Sequence, residues 1–258
     1  MATRTQRASA LAAFVLHRYD WSESSLILDL YTREQGRLAV AAKGAKRPYS
    51  QLRAVLLPFQ KISVSLGRAP GGEDAAEVQN LRAAEWAGGP SMLVGAALFS
   101  GFYLNELLMK LLARHDPHPR LFDVYAETIA ALADRDDQRA ETSLRAFELT
   151  LLREIGVLPD LSVATLTQEP VFGSGRYALL ADAGLGLCAP GEAGLAGRVW
   201  IDLQAALDHG SVAALRQVCA PVLPELKGFL RLQLHYHLGS SVLRTRQVML
   251  EAQNLDAP

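Results

Sequence analysis

The stretch best equipped for chemistry is Arg37–Arg53, RLAVAAKGAKRPYSQLR. Leu38, Val40 and Ala42 alternate with Arg37, Ala39 and Ala41, which is the period of a β-strand. The run then breaks into a basic loop at Lys43, Gly44, Lys46, Arg47 and Pro48, with Gly44 and Pro48 as turn residues. Arg37 and Lys43 are an even number of residues apart, so one strand face is expected to carry both. No acidic residue occurs between Glu34 and Glu73. Cations with no opposite charge nearby in sequence, mounted at a strand end, suit contact with a phosphate backbone. They equally suit a solvated loop that keeps a sheet edge from pairing with another chain.

Aromatic residues surround the same stretch: Trp21, Tyr31, Tyr49 and Phe59. Barrel proteins that hold single strands combine a cationic groove with aromatic rings on which bases stack. Phe59 is expected in the core. Tyr31 either fills or covers the fold, and Tyr49, beside Arg47, is either a stacking ring or a loop residue.

The formal net charge of −1 conceals an asymmetry. Residues 1–70 hold eleven Lys and Arg against four acids, a net of +7 that includes Arg4, Arg7 and Arg68. The remainder holds fifteen against twenty-three, a net of −8. A basic module joined to a part with a different task is implied. Two cysteines, Cys188 and Cys219, without a CxxC pair, fit a reducing compartment and exclude a disulfide framework. The apolar run near the N-terminus is short and ends in a strand-like alternation and then His17 and Arg18, which predicts a soluble cytoplasmic protein rather than a secreted one. Ser91–Leu112 is apolar but interrupted by Asn105, Glu106 and Lys110, as in a buried helix rather than a membrane span.

The elements that must position these residues are short strands first and helices afterwards, an α+β chain. Strands are expected at Ala13–Tyr19, Ser24–Thr32, the Arg37–Ala42 run, Lys61–Leu66 and within Ala76–Trp86, with a hairpin turn at Arg33–Gly36 and a Gly/Pro-rich turn at 68–74. Five short strands suit a closed barrel of the OB type. Gly88, Gly89 and Pro90 mark a boundary, giving residues 1–86 as a barrel domain and 87–258 as a helical domain. There the period lengthens to that of helices, expected from an N-cap at Ser91 to about Arg114, then beyond Pro117 and Pro119 with Phe122, Ala126, Ile129 and Ala133 on one stripe, over Glu141–Ile155, near Leu203–His209, over Ser211–Cys219 and Pro224–Leu238, then from Leu243. Asp134–Gln138 reads as a charged loop. An irregular insertion, 159–198, is expected to hold a hairpin around Tyr177–Leu180 and Gly186–Cys188.

Enzyme signatures are missing: there is no GxxxxGK[ST] loop, no GxSxG elbow and no HExxH. His235 and His237 are two apart on a helix and point to different sides, so they do not make a metal pair. The expected protein is not an enzyme and needs no cofactor. The alternatives are a protein-recruiting adaptor, which has no use for a charge of +7 in its barrel, and a single-stranded nucleic-acid-binding OB-fold protein without annealing activity.

Two N-terminal segments, AFVLHRYDWSESSLILDLYTREQGRLAVAAKGAKRP (Ala13–Pro48) and LRAVLLPFQ (Leu52–Gln60), resemble the N-terminal module of the RecO family of bacterial recombination mediators. GFYLNELLMKLL (Gly101–Leu112), LRAFELTLLREIG (Leu144–Gly156) and FLRLQLHYHLG with LRTR (Phe229–Arg246) resemble landmarks of that family's helical domain. The resemblance implies an OB-fold that binds single- and double-stranded DNA, anneals complementary strands and works with RecR. It also implies help in loading RecA onto DNA covered by single-strand-binding protein. It puts the DNA surface at Lys43, Lys46, Arg47 and Arg53, flanked by Arg37 and Arg18, with Tyr49 beside them. It puts docking of the acidic tail of single-strand-binding protein at Arg145, with Leu144 and Phe147. An arginine paired with Glu141 or Glu148 on the helix surface is the competing reading of Arg145. Arg244 and Arg246 either extend the basic surface or form a solvated helix end. Two features depart from the family: with only Cys188 in the insertion no zinc is expected, and Ser240, Ser241 and Val242 stand where relatives are more basic.

Overall fold

A computed structural model describes residues 10–67, 78–134, 136–239, 243–245, 247, 248 and 251. Arg4, Arg7, Arg68, the turn at 68–74, Ala76, Ser240, Ser241, Val242 and Arg246 lie outside the described residues. By contacts the chain forms two units, Met1–Ala126 and Glu127–Pro258.

Apolar alternation builds the first unit. Its strands are β1 (Leu11–Asp20), β2 (Leu26–Thr32), β3 (Gly36–Ala42), β4 (Lys61–Leu66) and β5 (Val78–Trp86), with a one-turn helix α1 (Leu52–Val55) between β3 and β4. They close into a barrel in the order β1-β2-β3-β5-β4, with β3 and β5 parallel and the other pairs antiparallel. This is the five-stranded OB arrangement. Ala13, Val15, Leu28, Leu30, Leu38, Val40, Ile62 and Val64 fill its interior. The outer faces of the first half of β1, of β2 beyond Ile27 and of β3 are buried as well. Helices α2 (Gly95–Leu111) and the start of α3 (Pro119–Ala133) follow. Phe14 stacks edge-on to Tyr125 at 4.9 Å, and the Tyr31 hydroxyl donates to the His118 carbonyl at 3.2 Å. Tyr31 therefore covers the barrel, and Phe59, buried against Phe102, is core as expected.

One residue disturbs the ladder. Val15 pairs with Leu30 but His17 pairs with Asp29, so Leu16 is an extra residue on β1, a β-bulge. The Asn105 amide donates to the Leu16 carbonyl at 2.9 Å and accepts from the Tyr125 hydroxyl at 2.7 Å. Burial pushes the Tyr125 phenol far up, so it stays a donor and orients the amide. Beyond the bulge the alternation is inverted. Arg18 pairs with Leu28 and Asp20 with Leu26, so both polar residues share a face with the interior leucines, at the mouth of the barrel.

A second polar contact corrects an expectation. Arg37 does not share an accessible face with Lys43: it is 7% exposed and holds Asp29 bidentately, at 3.2 and 2.9 Å. Its remaining nitrogen donates to the carbonyls of Met109 and Leu112 at the C-terminal end of α2. A cation there satisfies carbonyls that the helix leaves unpaired and meets the negative end of its dipole. Strand β3 ends at Ala42, so the face shared by Arg37 and Lys43 does not continue to the exposed Lys43. Nearby, Gly36 (φ +69°) turns the β2–β3 hairpin, and a Cβ there would stand 2.1 Å from the Asp116 carbonyl oxygen.

The second unit is helical with a small sheet. After α3 come α4 (Asp137–Glu154), the strands β6 (Arg176–Leu180), β7 (Gly184–Leu187) and β8 (Leu195–Ala196), then α5 (Gly197–His209), α6 (Val212–Cys219) and α7 (Leu223–Leu238). The strands form a sheet in the order β7-β6-β8, so the expected hairpin is present. Several helix starts differ from expectation. Helix α4 begins four residues early because Asp136 caps it, accepting from the Arg139 amide at 3.0 Å. Helix α5 begins at Gly197 because Trp200, Leu203 and Leu207 already form its buried stripe. Helix α2 begins at Gly95 with Val94, not Ser91, at its N-cap. Trp200 is fully buried and its indole donates to the Tyr177 carbonyl at 3.1 Å, joining α5 to β6. No helix of the described residues is long and apolar enough to cross a membrane.

Two substitutions test these contacts by urea denaturation. Arg37→Ala leaves Asp29, among the described residues, with Arg114 4.0 Å away as its remaining cation and is expected to cost about 3–5 kcal/mol, whereas Lys43→Ala changes stability by less than about 0.5 kcal/mol. Equal midpoints for the two would show that Arg37 is a surface cation after all. Asn105→Ala orphans the Leu16 carbonyl and is expected to cost about 1–3 kcal/mol; an unchanged midpoint would mean the bulge does not need that amide.

Candidate nucleic-acid interface

At the barrel mouth Arg18, Asp20, Lys46 and Arg53 line a cleft of about 410 Å³, whose apolar lining is Leu26, Ala45 and Leu56. Four routes bring these residues together. The bulge turns Arg18 and Asp20 inward. The loop after β3 carries Lys46, with Ala45 buried as its anchor. Helix α1 carries Arg53. Leu56, buried in the barrel core, offers its carbonyl to the Arg18 guanidinium at 3.4 Å. Three of the expected DNA-contacting cations therefore share one cleft. Lys43, Arg47 and Tyr49 are exposed on the same loop, Tyr49 at 98%.

The expectation that all these cations lack partners needs correction. Lys46 pairs with Asp20 at 3.0 Å and donates to the Ser22 carbonyl at 3.1 Å. The partner comes from β1, across space, which is why the acid-free run from 35 to 72 did not reveal it. Lys43, Arg47, Arg53 and Arg18 have no ion-pair partner among the described residues. Backbone bonds fasten the basic loop to the β1–β2 loop: the Lys46 amide donates to the Ser24 carbonyl at 3.0 Å, and the Gly44 amide to the Ser25 hydroxyl at 3.4 Å. Trp21, 56% exposed, sits on that second loop. Sequence reasoning saw Trp21 as an aromatic neighbour and gave it no role. It overlooked Asp20, since nothing in the sequence marks the bulge that turns it inward.

The site expected on the helical domain is not assembled as an open surface. Arg145 is 7% exposed and pairs with the buried Glu148 at 2.9 Å, which is the competing reading of this residue with the pair inside rather than on the surface. Phe147 is fully buried and Leu144 half-buried. Helix α4 is covered along nearly its whole length from Thr142 to Leu152, so the LRAFEL segment presents a core, not a groove. Cys219 lies near this pair, and burial pushes its thiol up to about 12, which keeps it protonated. Cys188 and Cys219 are both free cysteines. Among the described residues no three His, Cys, Asp or Glu side chains are grouped to hold a metal ion.

The arrangement can grip a polyanion without reading its sequence: the cations are exposed or line an open cleft, and phosphate contacts carry no base information. The family profile "Recombination protein O N terminal" matches residues 8–87 and "Recombination protein O C terminal" matches residues 93–247. The DNA repair protein RecO of Variovorax paradoxus (strain S110) is 51% identical over 258 residues, covering 96% of this chain and 98% of that one. The protein of the same name from Polaromonas naphthalenivorans (strain CJ2) is 50% identical, covering 97% and 99%. That from Verminephrobacter eiseniae (strain EF01-2) is 51% identical, covering 94% and 96%. Both halves match in order and nearly end to end, and the chain belongs to the RecO family of DNA repair proteins.

Proposed function

We propose that this chain is a non-enzymatic, DNA-binding mediator of recombinational repair that anneals complementary strands. In this reading it assists, with RecR, the loading of RecA onto DNA covered by single-strand-binding protein. One observation carries the DNA-binding part: Arg18, Lys46 and Arg53 converge on a cleft at the barrel mouth, beside the exposed Lys43 and Arg47. Annealing follows physically from such a surface. Two phosphate backbones repel each other over about a Debye length, roughly 8–10 Å at ordinary salt. Cations that hold both strands lower that repulsion and leave base pairing to supply specificity. Family membership supports the roles with RecR, RecA and single-strand-binding protein. The reading does not place the tail of that last protein on Arg145 and Phe147, which are buried.

Binding of labelled oligonucleotides over a range of salt tests the reading. With about five phosphates engaged, log K falls against log salt with a slope of about −4. Lys43→Ala combined with Arg47→Ala weakens binding by a similar factor on unrelated sequences, flattens the slope by about 2 and slows annealing of complementary strands. A salt-independent affinity, or parent-level affinity in the double variant, would rule out this surface.

A further inference from the structure

We propose that the barrel mouth takes an unpaired strand, with Trp21 as its principal base-stacking residue and Tyr49 as a second ring. The proposal rests on the reading above that the neighbouring cations hold the phosphate backbone.

The placement of Trp21 carries the argument. It stands between Asp20, which lines the cleft, and Ser22, and the Lys46 ammonium holds both of these neighbours, at 3.0 and 3.1 Å. The turn is closed behind it, where the amides of Trp21 and Ser22 donate to the Ser25 carbonyl at 3.3 and 3.4 Å. The Lys46 amide donates to the Ser24 carbonyl and ties the turn to the basic loop. The indole is thus carried on a loop fastened on both sides, at the edge of the cationic cleft. It is nevertheless more than half exposed, and among the described residues its ring has no hydrogen-bond or aromatic partner. The other tryptophans differ: Trp200 is buried, and the Trp86 indole donates to Gln60 at 3.2 Å. A large ring held in water on a fixed loop loses the burial that would stabilise it. A planar base laid on it restores that burial.

The charges around the ring say which part of a nucleotide goes where. The Asp20 carboxylate is already paired with Lys46, so neither of these two is a main group for phosphate. Phosphates belong with the cations that have no ion-pair partner, Arg18, Arg53, Lys43 and Arg47, and bases with the exposed rings of Trp21 and Tyr49. Bases in a duplex are stacked on each other and hide their faces, so this arrangement serves a single strand. In this account Lys46 is a positioning residue for the Trp21 loop rather than a main phosphate contact.

The test is tryptophan fluorescence and affinity of the full chain with an oligothymidylate and with a duplex of equal length. The expected result is quenching by oligothymidylate in the parent and none in Trp21→Phe, with little quenching by duplex. Trp21→Ala is expected to weaken single-strand binding by about tenfold or more while duplex affinity moves by less than about twofold, and Trp21→Phe to retain most single-strand affinity. Trp21→Ala binding the single strand as the parent does, or losing both forms equally, would overturn the stacking role. If the Lys43→Ala, Arg47→Ala variant is weakened in the same experiment, the cationic surface stands and only the stacking inference falls. If that variant binds as the parent does, the underlying DNA surface falls with it. Parent-like urea midpoints for the Trp21 variants are expected, since the ring supports nothing in the core.

Discussion

Leu16 is one residue more on β1 than β2 can pair, and the Asn105 amide takes up the carbonyl that the ladder leaves over. The consequences reach the proposed site. Without the extra residue, alternation from Ala13 and Val15 would bring His17 and Tyr19 to the interior face and turn Arg18 and Asp20 away. With it, Arg18 meets Leu28 and Asp20 meets Leu26, and a cation and its neighbouring acid stand at the barrel mouth. The bulge survives because the helix that follows the barrel supplies a buried donor at that point. A buried phenol, Tyr125, holds the donor in the required orientation. A helical residue thereby decides which β1 side chains face the barrel mouth.

The same covering helix explains why one arginine is structural and its sequence neighbours are not. Arg37 lies under the end of α2, where a guanidinium can hold Asp29 and the unpaired carbonyls together. A few residues on, the strand has ended, and Lys43 and Arg47 project into water. Charge density along the chain does not separate these cases, because burial is decided by an element more than fifty residues away.

Legibility follows the range of the forces involved. The five strands and most helices were readable because period-two and period-four apolar patterns reflect which face is buried, a local property. The closed barrel followed from strand number and spacing. Helix α1 was not anticipated: four residues carry no periodicity. The bulge leaves no mark in the residues around it. Arg37 and Asp29 are brought together by strand register, and Lys46 and Asp20 by the loop after β3 folding back on the end of β1, so reading charges along the chain misjudged which cations were neutralised. Arg145 is enclosed for a related reason. Leu144, Phe147 and Leu151 define one apolar stripe, but α4 is buried on further faces too, and the Arg145–Glu148 pair is enclosed with it. The loop positions Lys43, Arg47 and Tyr49 were placed correctly as exposed, since Gly44 and Pro48 announce a turn.

Hydrogen exchange of the full chain, with and without a saturating oligonucleotide, tests the cationic mouth most directly. The account predicts slower exchange in the two tied loops, residues 21–25 and 43–53, and along the end of β1. It predicts no change in α4 around Arg145. Slowing confined to the helical unit, with both loops exchanging as in the free protein, would contradict it.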